Sequence, residues 1–315
     1  RSKIKLEMEK KGVNHKPLYK ILIIIIFIVG FLCIFLLLNN ESRDKATKSL
    51  DGEEGMAKVG DINISYRTYG EGYPLVMIMG YGSTMDMWED QLINSFSKDY
   101  KVIIFDNRGI GETSEGQKDF AIEQFAEDTY GLMDALDIEK AHVLGWSMGS
   151  YIAQELALKH PEKINKLVLY ASVCSPEMFP PSPEVLSALE DTSGTPEEQG
   201  ARWISVIFPS EWIKNNGERI KEIFYRPLGK IKPENIGKQV MAIGNWSGTC
   251  DRISSVNNKT LVIAGKEDIL VPPANSEYLA SKISNSKLIL VDGAGHALMF
   301  QYPDKFTQEV TEFLK

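Results

Sequence analysis

The feature that most constrains this chain is Gly145-Trp146-Ser147-Met148-Gly149, set between an apolar run, Ala141 to Gly145, and a helical pattern from Ser150 to Lys159. A G-x-S-x-G at a strand-to-helix junction makes a turn so sharp that the residues flanking the serine must be almost without side chains. The turn holds the serine hydroxyl above the sheet edge, beside the N–H groups that open the helix. Alone the pattern is weak. At a background glycine usage of about 7%, a chain this long shows one by chance roughly one time in ten. Without partners it is only a glycine-padded turn, so the rest of the chain decides what it means.

Continuous apolar runs recur at Leu75–Met79, Val102–Phe105, Leu167–Tyr170, Leu261–Ala264 and Leu288–Val291, each suited to a strand buried on both faces. Ile62, Ile64 and Tyr66 alternate with polar residues, as a half-exposed antiparallel strand does. Helical spacing separates the runs, at Phe120, Phe125, Leu132 and Leu136. It recurs after Pro272-Pro273, and at Phe306, Val310, Phe313 and Leu314. The expected fold is therefore α/β: a mostly parallel sheet with helices on both faces. From about 174 to 252 no strand is legible, only prolines and helical stretches carrying Trp203, Trp212 and Trp246. An insertion of this length is expected as a helical cap over the C-terminal edge of the sheet, where such sheets bind ligands.

The N-terminus reads differently. Ile21 to Leu38 holds no charged or polar side chain apart from Cys33, which is long enough for a membrane-spanning helix. No small-x-small cleavage site follows, so an uncleaved anchor is expected rather than a signal peptide. Lys10, Lys11, Lys16 and Lys20 precede the run; Arg43, Lys45 and Lys48 follow it. That charge balance slightly favours a cytoplasmic N-terminus and hence an extracytoplasmic domain. The expected organisation is a short basic segment over 1–20, a transmembrane helix over 21–38, a polar tether over 39–56 and a folded domain over 57–315. The expected location is a single-pass cell-membrane protein. A formal net charge of −8 gives no footprint for nucleic acid, and no Cys/His cluster suggests a metal. No cofactor is implied, and the oligomeric state is left open.

A serine needs a positioned imidazole to take its proton and a carboxylate to orient that imidazole. In this strand-turn-helix arrangement the acid and then the histidine should follow the serine in chain order. Only His160 and His296 lie after Ser147. His160 ends the helix after the turn, where it caps carbonyls, whereas His296 sits in Gly293-Ala294-Gly295-His296 just past a strand. Asp268, leaving the Leu261–Ala264 run through Gly265-Lys266-Glu267, is the preferred acid. Glu267 should point away, and Asp292 is too near His296 in sequence. The oxyanion needs two N–H donors. These are expected from Met148, and from Tyr81 in the loop after Leu75–Met79.

From about Met56 onward the chain resembles the α/β-hydrolase superfamily, particularly its small capped esterase-type members. The resemblance rests on Ser147, Asp268, His296 and the Asp106-x-Arg108-Gly109-x-Gly111 loop. Members usually carry His-Gly at the oxyanion loop; here the pair is Met79-Gly80, and Met79 cannot make that histidine's hydrogen bonds. A serine nucleophile argues against the dehalogenase and epoxide-hydrolase branches. The 106–111 loop reads as structural. Trp88, Met85, Met87, Met148 and Met299 are candidates for an apolar acyl pocket.

The expectation is thus a membrane-tethered serine hydrolase cleaving an uncharged, fairly apolar carboxylic ester through an acyl-enzyme. Alternatives are a thioester, amide or carbon–carbon hydrolase, a perhydrolase, or a slow-turnover ligand receptor on the same fold. Cys174 and Cys250 fall near the two ends of the insertion, but the sequence fixes neither within the roughly 7 Å that a disulfide requires. Two independent thiols are the simpler expectation.

Overall fold

The computed structural model describes residues 52–191, 193–224 and 229–315. Eight strands form one sheet: β1 (Glu53–Val59), β2 (Ile62–Tyr69), β3 (Tyr73–Ile78), β4 (Tyr100–Phe105), β5 (Ala141–Trp146), β6 (Ile164–Tyr170), β7 (Lys259–Gly265) and β8 (Ser286–Val291). Their order is β1-β2-β4-β3-β5-β6-β7-β8. The first two strands are antiparallel to their neighbours, and every pairing from β4 to β8 is parallel. The long apolar runs follow from burial on both faces. Val76 and Ile78 of β3 enter one core while Leu75 and Met77 enter the other. The first strand begins inside the stretch read as tether, because Ala57 and Val59 turn inward while their neighbours face water. At the opposite edge β8 is covered less than its apolar run suggests, and Leu288 is 37% exposed.

Helices α1 (Asp90–Phe96), α2 (Ile122–Ala135) and α3 (Met148–Lys159) link the first strands. After β7 come α9 (Ala274–Lys282), α10 (Leu298–Gln301) and α11 (Pro303–Leu314). Between β6 and β7 stands the helical cap: α4 (Pro183–Glu190), α5 (Pro196–Ile207), α6 (Ser210–Asn215), α7 (Gly217–Phe224) and α8 (Pro233–Asn245). Local signals open two of these helices. Ser182 accepts from Val185 N, and Thr195 with Glu198 forms a capping box.

The roots of the cap are stapled together. Cys174 and Cys250 form a disulfide with their Cα atoms 4.9 Å apart, in place of the independent thiols expected. Beside it Thr249 N donates to Cys174 O at 2.6 Å. Gln154 of α3 donates to Ser172 Oγ and Val173 O, and accepts from Thr249 Oγ1. Glu155 of α3 accepts from Trp246 Nε1 and from the Arg252 guanidinium. Both chain crossings into the cap are thereby pinned to one helix.

The membrane expectation is corrected. A spanning helix needs about 20 apolar residues, and among the described residues no helix is long and apolar enough to cross a membrane. The longest described helix, α2, has 14 residues. The run over 21–38, like the 1–20 segment and most of the 39–56 tether, lies outside the described residues. The single-pass location, the extracytoplasmic placing and the membrane as a partner rested on that run, and none is carried further.

Candidate active site

Ser147 follows the last residue of β5 and takes φ 52°, ψ −121°, a conformation that non-glycine residues rarely adopt. Strain of this kind costs on the order of 1–3 kcal/mol and persists only where the surroundings impose it. They do so through backbone bonds: Ser147 N donates to Tyr170 O at 2.9 Å, and Ser150 N and Oγ both donate to Ser147 O. The flanking glycines are forced by contact. A Cβ on Gly145 would lie 2.3 Å from Gly149 O, and one on Gly149 would lie 2.1 Å from Ile78 O. One turn along α3 stands Tyr151, and burial holds its phenol well above its usual pKa.

Asp268 and His296 meet at the C-terminal ends of β7 and β8. His296 Nδ1 lies 2.9 Å from Asp268 Oδ2, and both side chains are buried. A carboxylate only accepts, so this bond assigns the proton to Nδ1 and leaves Nε2 as the basic nitrogen. The other carboxylate oxygen, Oδ1, accepts from Leu270 N and Val271 N, which fixes its plane. Glu267 faces solvent, and Asp292 pairs with Lys266. The histidine loop is held from three sides: Tyr170 Oη donates to His296 O at 2.7 Å, Gly295 N to Gln301 Oε1, and Ala297 N to Ile207 O at the end of α5. The Trp146 indole, next to Ser147 in the chain, lies 5.9 Å from the His296 ring. His160 is elsewhere, stacked on Tyr130 and paired with Glu127. His142 is buried in β5 between Tyr73 and Tyr100, where burial and then Lys166 lower its pKa to about 4.

The loop after β3, expected to carry the second oxyanion donor, lies against the turn: a Cβ on Gly80 would come 3.5 Å from Ser147 Cβ. Two side chains hold this loop. Asn107 Nδ2 donates to Met79 O at 3.1 Å, and Gln239 Oε1, on α8 of the cap, accepts from Gly82 N at 2.8 Å. Asp106 Oδ1 accepts from Met85 N beyond the loop, and burial outweighs its backbone donors to push that carboxyl up to about 7. Arg108, fully buried, donates to both oxygens of Asp61 and of Asp128. That guanidinium holds Asp61 well below the usual carboxylate range.

Ser147, Met148 and Tyr81 line one cavity with Tyr151 and Asn275; its other walls, among them Val173, Phe179, Leu189, Ile243 and Leu270, are apolar. Of the methionines and tryptophan read as pocket candidates, Met148 alone lines it. Met85, Met87, Trp88 and Met299 pack in the core. Among the described residues no group of three or more His, Cys, Asp or Glu side chains is placed to hold a metal. Tyr151 carried a legible signal, standing one helical turn after the serine. Gln239 and Asn275 carried none, since each reads as an ordinary polar residue of a surface helix.

A family model described as alpha/beta hydrolase fold matches residues 73–208 and 200–303, a span that takes in β3 to β8 with Ser147, Asp268 and His296. The chain belongs to the alpha/beta hydrolase fold family. As an alpha/beta hydrolase it is similar to a protein of Pseudomonas syringae pv. syringae named "Putative carbamate hydrolase RutD", at 29% identity over 76% of this chain and 93% of the relative. An "Alpha/beta hydrolase fold protein from Chitinophaga pinensis" superposes with a TM-score of 0.72 at 25% identity, over 84% of this chain and 98% of that one. A thermophilic esterase from Thermogutta terrifontis shares the fold, with a TM-score of 0.71 at 24% identity over 83% and 98% of the two chains.

Proposed function

We propose that this hydrolase cleaves an uncharged, fairly apolar carboxylic ester through an acyl-enzyme on Ser147. The observation that carries this reading is the cavity itself: strained Ser147 opens into walls that are almost wholly apolar. A charged acyl group would lose its hydration there without a partner. His296 Nε2 takes the proton from Ser147 Oγ as that oxygen attacks the ester carbonyl. Asp268 holds the Nδ1 proton and stabilises the imidazolium. The N–H groups of Met148 and Tyr81 receive the developing oxyanion, and Gln239 and Asn107 keep the second of these in place. The imidazolium then gives its proton to the leaving alcohol. Water, deprotonated by the same nitrogen, releases the acid.

The same sequence of proton transfers serves a carbamate, and the similarity to RutD-named proteins makes that the second reading. The test is a fluorophosphonate label followed by p-nitrophenyl esters and carbamates of matched size. Labelling of the wild type and not of Ser147→Ala, with multiple turnover on the esters, is the expected result. Retained labelling in the variant removes Ser147 as nucleophile. A single burst without turnover makes the protein a binder rather than an esterase.

A further inference from the structure

The cavity at Ser147 carries one polar feature that ester cleavage leaves unused. Asn275, the second residue of α9, lines that cavity and is 2% exposed. Its Nδ2 donates to two backbone oxygens, Phe179 O at 2.8 Å and Pro272 O at 3.1 Å. Two acceptors on that side fix the orientation of the amide, because its oxygen could bond to neither. The opposite atom, Oδ1, is buried and has no hydrogen-bond partner among the described residues. No other side chain lining the cavity keeps an unpartnered buried polar atom among the described residues. A buried acceptor without a donor is costly, and a ligand that supplies the donor removes that cost.

We propose that Asn275 is a specificity-determining residue, its Oδ1 accepting a hydrogen bond from a hydroxyl or N–H group on the acyl chain of the ester. The substrate class is then an ester whose acyl group is mainly apolar but carries one hydrogen-bond donor. Phe179 O and Pro272 O hold the amide by its Nδ2, which leaves Oδ1 as the atom able to accept. A purely hydrocarbon acyl chain fills the same space and leaves Oδ1 unpaired. Sites built to bond a polar group discriminate against the analogue that lacks it far more strongly than apolar pockets discriminate by shape.

This inference rests on the acyl-enzyme reading, and its test separates the two. The full chain is assayed with p-nitrophenyl esters in isosteric pairs: β-hydroxybutyrate with isovalerate, ω-hydroxyhexanoate with heptanoate, and N-acetylglycinate with levulinate. The expected result is a kcat/KM about tenfold or more higher for the donor-bearing member of at least one pair. In Asn275→Leu that ratio collapses toward one. Equal rates within every pair in the wild type overturn the inference while leaving the esterase intact. A preference that survives in Asn275→Leu overturns the assignment to this residue. No turnover of any ester sinks the acyl-enzyme reading instead. Should Asn275→Leu fail to fold, the wild-type ratios decide alone.

Discussion

The half of the site borne by the sheet and the half borne by the cap are held by different means. Ser147, Asp268 and His296 stand just past the C-terminal ends of β5, β7 and β8. Backbone bonds from Ser147 N to Tyr170 O and from Glu267 N to Ala294 O tie the first two turns to the sheet edge, and the histidine loop adds Tyr170 Oη, Gln301 and Ile207 O. On the cap side the bonds run through side chains: Gln239 to the oxyanion loop, Asn235 to Gly109 O, Trp246 to Glu155. Backbone register is a property of the whole sheet and survives many substitutions. A side-chain bond is a single point of failure. In the proposed reaction the three reacting residues stand at the sheet edge, while Gln239 and Asn275 would set alignment and selectivity.

The sharpest way to break this comparison is at Ser147, the proposed nucleophile. Ser147→Ala should lower kcat by on the order of 10⁶, with Asp268→Asn costing on the order of 10⁴. Glu267→Gln should change the rate by less than about threefold; ester-hydrolysis kinetics at matched concentrations of folded protein read all three. If Glu267→Gln did the greater damage, the acid would be misassigned.

Next in size is the stability of the sheet half. Arg108→Met strips the counter-charge from Asp61 and Asp128, and breaking a buried pair from one side costs about 3–5 kcal/mol. Urea unfolding measures it. A loss below about 1 kcal/mol would mean that the loop behind the oxyanion strand is held by its backbone alone. On the cap side, Gln239→Leu should lower kcat about tenfold while KM moves by less than about threefold. A misplaced oxyanion donor acts in the transition state rather than on substrate binding. A change confined to KM would show that Gln239 shapes the pocket and does not steady the loop.

The smallest expected effect is a pH dependence. The folded chain resists protonating His142 until about pH 4, whereas the unfolded chain takes up that proton near an ordinary imidazole value of about 6.5. Its contribution to stability is therefore complete above about 6.5 and is lost as pH falls toward 4. Thermal unfolding of the wild type should drop by several degrees more over that window than that of His142→Phe. Parallel curves for the two proteins would show that His142 charges in place without cost.

How much of this could be read from the residues divides along the same line. The strands were legible because burial on both faces leaves continuous apolar runs, and the G-x-S-x-G turn because two close backbone approaches admit only glycine. Asp268 and His296 could be nominated from chain order, since parallel strands deliver their ends to one edge. The first strand was not legible: as an edge strand it buries only Ala57 and Val59 on its inner side, too little to mark a period. Gln239 was hidden because one buried amide on α8 looks like its solvated neighbours until the partner, Gly82 N, is located 157 residues away. The Cys174–Cys250 pairing was hidden for a related reason. Two positions 76 residues apart say nothing of distance until the cap returns to its own root.

That pairing has a topological consequence. With Cys174 and Cys250 joined, the cap is a closed covalent ring appended to the sheet, through which the main chain enters and leaves at one place. A protease cutting once at the exposed connection around Asp191 and Ser193 opens the ring without dividing the molecule. Both halves of a nicked cap remain attached to α3 at the root, Gln239 and Gly82 stay within one covalent body, and only reduction together with the cut would release two polypeptides.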